Sequence, residues 1–416
     1  MGVGTFVESP VHTVQDHPEA ARRVDVPFLL AIIGLLVFGL IVLFSASWDF
    51  SLAMLGEKPT YMFSRQLIWL GLGIVGAYAL SRFDYHYWSK LVVPITLFTI
   101  VMLVGVLLTN EIRFGAKRAI FSGSVQPSEL AKLVSIIYLA VWLYAKRASL
   151  HVFSLGFLPL SIILGIFGGL IFLQPDLSAA GTVLIMGGLL FFLAGGDLKQ
   201  ISIMLIVTLV VGWLVVQVSE TGQKRIADFL LGIKDPMQAS YHVLRSFEAI
   251  VGGGFFGRGL GQSLSKFTGL PVPPTDSIFA IVVEELGLLG SIFLIGLYGL
   301  LIWRGMVIAR RAPDMLGTLL SAGLVLWIGV EALINMAVMV GLMPFAGNAL
   351  PFVSAGGSNL VTMLAAIGIV MNVSRQRGAT THVEDDRRSF GASVDLRGRN
   401  GRRSVSRPVR SRTVAD

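Results

Sequence analysis

Residues 27–47 read PFLLAIIGLLVFGLIVLFSAS, twenty-one consecutive positions without a charged side chain. About 20 apolar residues of helix cross the hydrocarbon core of a bilayer, so this run alone is long enough to span. Working outward from it, nine more apolar runs follow, at roughly 64–81, 89–109, 128–145, 153–173, 177–195, 200–218, 277–303, 315–342 and 358–374. Runs of this length exceed what a strand needs and fit helices. The reading is an all-α, polytopic membrane protein with about ten transmembrane helices.

Composition agrees. Of 416 residues, 54% are hydrophobic and 14% charged, where a soluble domain carries about 25% charge. Mean hydropathy is +0.76. Lipid must solvate much of this surface. The absence of cysteine excludes disulfides, thiolate metal sites and cysteine nucleophiles. The six histidines, at 12, 17, 86, 151, 242 and 382, form no metal-ligand spacing. Nothing suggests a redox cofactor or a nucleic-acid partner.

The first 26 residues hold no apolar run, so a cleavable signal peptide is not expected there. We read 1–26 as a cytoplasmic segment, 27–374 as the membrane domain and 375–416 as a disordered basic cytoplasmic tail. Residues 219–276 form a long polar segment between the seventh and eighth spans, read as extracytoplasmic. Basic residues orient the whole. With a cytoplasmic N-terminus, Arg22, Arg23, Arg82, Lys90, Lys146, Arg147, Lys199, Arg304, Arg310 and Arg311 fall inside, and the tail adds eleven arginines. Both termini are thus expected in the cytoplasm. Anionic lipid head groups would attract the tail.

Ionisable groups within spans are costly and mark function by default. Most of them here gather toward the outer face. Glu129 and Lys132 open the fourth span, Asp176 follows the fifth in the turn Gln174-Pro175-Asp176, and Asp276 opens the eighth. Positions 276, 280 and 284 share one helix face at a spacing of four. Glu285 adjoins Glu284, and Lys132 is the expected counter-ion for that pair. Glu331 and Asn335 lie one turn apart in the ninth span. Each has a plainer reading: Asp276 and Glu129 as helix-start acids, Asp176 as a turn residue, Glu284, Glu285 and Lys132 as a packing network. The glycine-rich stretch 252–261 lacks the Gly-Lys-Ser/Thr ending of a Walker loop. It reads either as a flexible external loop or as backbone that approaches a ligand closely, with Arg258 and Lys266 beside it to meet phosphate.

Several motifs stand in order along the chain: Ser45-Ala46-Ser47; Gly115-Ala116-Lys117-Arg118; Gln126 to Leu133; Gln174-Pro175-Asp176-Leu177; Gly259 to Ser263 with Lys266; Thr275-Asp276-Ser277; Glu284-Glu285-Leu286-Gly287; Asn335; and Leu350 to Ser358. This ordered set resembles the shape, elongation, division and sporulation family, with Gly259 to Ser263 and Lys266 leaning toward its FtsW-like rather than RodA-like members. Ala119, Pro274, Ser277 and Ala355 differ from the residues usual there. The resemblance implies a peptidoglycan glycosyltransferase. Such an enzyme polymerises lipid II, a lipid-linked disaccharide-pentapeptide, at the outer face of the bacterial cytoplasmic membrane. Its implied partners are a class B penicillin-binding protein transpeptidase and other division or elongation membrane proteins. Asp276 is the implied catalytic base. Arg118, Lys132, Arg258 and Lys266 are candidates to bind the diphosphate, with Glu129, Asp176, Glu284, Glu285, Ser354 and Ser358 as further substrate-binding residues. No cofactor is firmly implied, although a divalent cation would suit a diphosphate leaving group. Intramembrane charge also suits a flippase or transporter, and the basic tail suits a non-catalytic division scaffold.

Overall fold

Asp25 starts the first helix. Its carboxylate accepts the Phe28 N–H at 3.1 Å, which satisfies one of the amide donors a helix start leaves unpaired. Pro27 follows in the first turn, where its missing N–H costs nothing. The computed structural model describes residues 25–108, 126–174 and 176–376, and no strand occurs among them. Arg118 lies outside the described residues, as do residues 1–24 and the tail from 377 onward.

The helices are α1 (Val26–Ala53), α2 (Tyr61–Arg82), α3 (Trp88–Leu108), α4 (Pro127–Lys146), α5 (Leu158–Phe172) and α6 (Leu177–Leu193). They continue as α7 (Leu198–Val218), α8 (Glu220–Lys234), α9 (Tyr241–Gly253), α10 (Ile278–Arg310), α11 (Met315–Met339) and α12 (Gly357–Gln376). Nine helices among the described residues are long and apolar enough to cross a membrane. The sixth expected span, α6, has 17 residues, the lower end of the range that spans. Each of the ten apolar runs therefore corresponds to a helix, and the chain is a multi-pass membrane protein.

α1 and α10 run antiparallel. Arg304 pairs with Asp25 at 2.7 Å near one end, and Ser45 donates to Glu285 at 2.6 Å toward the other. α10 also packs on α9 and α11, while α4 packs on α3, α6 and α11. Within α4, 72% of the most apolar window is buried, against 6% in α7. α4 is thus a core helix, whereas α7, packed chiefly on α6 and α8, presents apolar side chains such as Leu205, Leu209 and Trp213 to lipid.

Two features depart from the expected plan. First, α10 begins at Ile278, with Asp276 in the turn before it. Asp276 therefore does not share a helical face with Ala280 and Glu284. Second, α10 is broken at Gly287, whose φ of 68° and ψ of −165° leave the helical region. The glycine-rich loop fills that break. The amides of Arg258 and Gly259 donate to the carbonyls of Glu284 and Glu285 at 2.9 Å each, and the Leu288 amide donates to the Gly254 carbonyl at 3.1 Å. A Cβ on Gly257 would lie 2.2 Å from the Glu285 carbonyl oxygen, and one on Gly253 2.1 Å from that of Val283. Glycine is required because two backbones touch. The close approach is to the protein's own helix, and the loop is bound, not free.

The chain between α11 and α12 also folds inward. Leu350 and Val353 are fully buried, and a Cβ on Gly39, at the middle of α1, would meet the Phe352 carbonyl oxygen. Tyr298, inside α10, donates to the Pro351 carbonyl at 2.5 Å. Irregular backbone at this depth is tolerated because protein surrounds it.

Candidate active site

The turn carrying Asp276 and the inward-folding segment meet directly. The Ala355 amide donates to the Pro274 carbonyl at 2.7 Å, and the Ser354 hydroxyl donates to the Thr275 carbonyl at 2.6 Å. The Ser354 oxygen also accepts the Leu350 amide at 2.8 Å. Both segments of this junction hold a non-glycine residue at positive φ, Val272 at 44° and Phe352 at 66°. Such strain persists where surrounding structure over-determines it. Asp276 is half-buried, and a Cβ on Gly347 would stand 3.0 Å from its Oδ2. Its backbone carbonyl accepts from Asn335 Nδ2 at 2.9 Å.

From Asn335 a polar chain leads into the bundle. The same amide reaches the Asn348 carbonyl at 2.5 Å, and Asn348 Nδ2 donates to the Glu331 carbonyl at 3.1 Å. The Glu331 carboxylate receives Trp327 Nε1 at 2.8 Å and Lys132 Nζ. Lys132 bonds Glu129 as well, at 2.9 Å, and Asn359 Nδ2 closes the chain on Glu129 Oε2 at 2.9 Å. Lys132 is 2% exposed and Glu331 fully buried. A charge so enclosed needs its partners, and here one ammonium serves two carboxylates. The expected pairing of Lys132 with Glu284 and Glu285 is not what forms; Glu331, on α11, takes that place.

Glu284 and Glu285 are nevertheless paired, with two of the other expected cations, Arg258 and Lys266. Glu284 accepts the Ser263 hydroxyl and the Leu264 amide, the latter at 3.0 Å, and lies 3.8 Å from Arg258 Nε. Glu285 accepts Ser45 and lies 3.5 Å from Lys266 Nζ, which also approaches Asp49 at 3.7 Å. Both carboxylates are 1% exposed. They fasten the loop after the glycine stretch to the N-terminal part of α10. Arg258 keeps 38% of its side chain exposed and Lys266 only 4%.

Asp176 caps α6, its Oδ1 accepting the Ala179 amide at 3.2 Å. Its Oδ2 receives Ser128 at 3.2 Å and Gln126 at 3.1 Å, which ties the start of α4 to the start of α6. Ser358, at the start of α12, accepts the Gln126 amide at 3.3 Å. The structure thus gathers Glu129, Lys132, Asp176, Ser354 and Ser358 around the helix starts of α4, α6 and α12. Asp276 joins them through Ser354 and Asn335. Asn348, Asn359 and Trp327 complete the chain without having been singled out in the sequence. Their signal was there: an asparagine flanked by apolar membrane sequence must find a partner. Among the described residues, no three His, Asp or Glu side chains are grouped to hold a metal ion.

Comparison with known proteins places this arrangement. The family model for cell cycle proteins of the FtsW/RodA/SpoVE type matches residues 27–379. The chain is 37% identical over 363 residues to a probable peptidoglycan glycosyltransferase FtsW of Trichlorobacter lovleyi, covering 86% of this chain and 94% of that protein. It is 37% identical over 371 residues to stage V sporulation protein E of Bacillus subtilis, covering 85% and 98%. Among solved structures, it superposes with a TM-score of 0.71 at 26% identity on a chain of a peptidoglycan synthase complex that coordinates polymerization and crosslinking, covering 85% and 98%. The rod shape determining protein RodA of Thermus thermophilus gives 0.63 at 26% identity, covering 85% and 97%. With its membrane domain matched from end to end, the chain belongs to the FtsW/RodA/SpoVE family of cell cycle proteins.

Proposed function

We propose that this protein is a peptidoglycan glycosyltransferase that polymerises lipid II into glycan strands, for division or elongation, at the outer face of the bacterial cytoplasmic membrane. Relatives bearing that activity in their names support the enzyme class. The observation that carries the mechanism is the half-buried Asp276, held by its own backbone to Asn335 and by its neighbour Thr275 to Ser354. The bond formed joins the acceptor sugar's 4-oxygen to the donor's anomeric carbon. The bond broken is from that carbon to the diphosphate oxygen, and the polyprenyl diphosphate departs with the bonding pair. A sugar hydroxyl is a weak nucleophile at neutral pH, so a positioned carboxylate takes its proton as attack proceeds. Asp276 is assigned that role.

Charge on the leaving diphosphate calls for fixed cations or amide donors. Arg258, with its exposed guanidinium, and Arg118 are assigned to it. Lys132 and Lys266 are engaged by buried carboxylates and act by fixing the walls, as do Glu129, Glu284, Glu285 and Asp176. Ser354 and Ser358 position the turn and the start of α12 beside the substrate. A class B penicillin-binding protein is the proposed partner, in line with the synthase complex the fold matches. Both termini are assigned to the cytoplasm. The test is glycan polymerisation from purified lipid II: Asp276→Asn and Asp276→Ala, folded as the parent, are expected to lose at least about a hundredfold in rate, the low end for general-base catalysis. Full activity in either variant removes Asp276 from the role of base.

A further inference from the structure

The glycine-rich loop after α9 exposes large apolar side chains, which a loop surrounded by water avoids when they are contiguous. Phe255 is 59% exposed and Phe256 79%, and their rings meet edge to face at 5.6 Å. Val251 before them and Leu260 after them are exposed as well. The tip of the loop is pinned to α10 at its break, where the Leu288 amide donates to the Gly254 carbonyl at 3.1 Å and the Leu289 amide to the Phe255 carbonyl at 3.4 Å. Leu288 and Leu289 are themselves exposed, as are Ile292 and Phe293 one turn further along α10. The apolar tip of the loop therefore adjoins the exposed apolar face of a membrane-spanning helix.

Two helices measure how deep that tip sits. About twenty residues of α1 separate Asp25 from Ser45, and about as many of α10 separate Arg304 from Glu285; at 1.5 Å per residue each stretch is roughly 30 Å, the thickness of a bilayer's hydrocarbon core. The two stretches share their ends, since Arg304 pairs with Asp25 and Ser45 with Glu285. Exposed tryptophans stand beside both ends, Trp303 at one and Trp48 at the other, as they do at membrane–water interfaces. With the hydrocarbon laid between these levels, Leu288 and Leu289 fall about 5 Å inside it on the Asp276 side, and Phe255 and Phe256 fall with them. Irregular backbone at such depth is costly when its polar groups are unpaired. Here the Gly257 amide donates to the Gly253 carbonyl and the amides of Arg258 and Gly259 donate to α10, each at 2.9 Å. We propose that residues 251–260, read from the sequence as part of an extracytoplasmic segment, are a re-entrant membrane anchor. Its partner is the acyl chains of the leaflet on the Asp276 side, with Phe255 and Phe256 inserted beside α10. The anchor is independent of which reaction the protein catalyses, and it sets the height at which the following turn, with Asp276, sits against the bilayer.

The chain has no cysteine, so a nitroxide can be attached at one introduced cysteine at a time, in the full chain in phosphatidylcholine nanodiscs. Its collisions with oxygen, which concentrates among acyl chains, are compared with its collisions with a water-soluble nickel chelate. Phe256→Cys is expected to show an oxygen-to-nickel ratio close to that of Ile292→Cys on α10 and well above that of Lys224→Cys on α8. Phe255→Cys replaces Phe256→Cys should the latter fail to fold. A ratio at the level of Lys224→Cys puts the tip in water and overturns the anchor. Low collision rates with both reagents overturn it too, because a second copy of the chain would then cover the tip. Phe256→Asp, which sets a charge among acyl chains, is expected to lower the unfolding temperature in the nanodiscs, and Phe256→Leu to leave it near the parent's. Equal unfolding temperatures for parent, Asp and Leu chains would likewise refute insertion.

Discussion

Lys132 holds two carboxylates from different helices, Glu129 one turn before it on α4 and Glu331 on α11. Removing the ammonium leaves two buried negative charges facing each other, a loss of about 3–5 kcal/mol for a broken buried pair. Lys132→Met is therefore expected to lower the unfolding temperature of the detergent-purified protein sharply. Adding Glu331→Gln to that variant should recover part of the loss, because one of the stranded charges is gone. No recovery in the double variant would show that the pair does not hold α4 to α11. The residues of this cluster were legible as intramembrane charges, since each is expensive alone. Which carboxylate meets Lys132 was not legible. Glu284, Glu285 and Glu331 are all membrane carboxylates of similar depth, and only the packing of α4 on α11 selects the last.

Elements meet backbone to backbone where the glycine loop enters the break in α10. Gly287 has φ of 68°, and a Cβ there would stand 2.4 Å from the Gly257 amide. Gly287→Ala incurs both a positive-φ penalty of about 1–2 kcal/mol and a clash with a second backbone. Gly261, at φ 82° with open space around it, incurs only the first. Thermal unfolding followed by size-exclusion chromatography should show Gly287→Ala far more damaged than Gly261→Ala; equal damage would mean the contact carries no weight. A second element-scale expectation concerns His242 on α9, stacked on Phe345 at 4.1 Å. Burial, and then the Arg225 charge, hold its pKa below the usual 6.5. The folded state prefers the neutral ring, so the unfolded chain binds more protons below about pH 6.5 and stability falls as pH drops from there toward the depressed value. His242→Phe should remove that part of the acid sensitivity, measured as unfolding temperature between pH 7.5 and 5. The sequence showed the glycines but not their target, because a helix backbone carries no side-chain signature. It likewise showed Asp276 near a helix start, but the turn of residues 271–277 that delays α10 to Ile278 is fixed by contacts with Ser354 and Ala355 some eighty positions away.

Among the described residues, the apolar helices pack around α4, α10 and α11. The spans were readable because the bilayer demands length and apolarity from each one separately, whatever its neighbours. Burial was not: α4 and α7 are both apolar runs, yet one is core and the other faces lipid. Side-chain exchange offers a direct check of orientation, since the natural chain has no cysteine to remove. Lys224→Cys, exposed on α8, is expected to react with a membrane-impermeant maleimide in intact cells. Ala148→Cys, exposed between α4 and α5, should react only after permeabilisation. The opposite pattern would invert the protein and put Asp276 on the wrong side for its proposed substrate.

Because the carbonyls of Glu284 and Glu285 find their hydrogen-bond donors in residues 258 and 259, the polar segment and the helix it precedes form one inheritable unit. A chimera that imports residues 219–276 from a relative while keeping its own 278–310 would join halves shaped for different neighbours. Exchanges that carry the segment and the first ten residues of α10 together should be tolerated, which sets where recombination within this fold can cut.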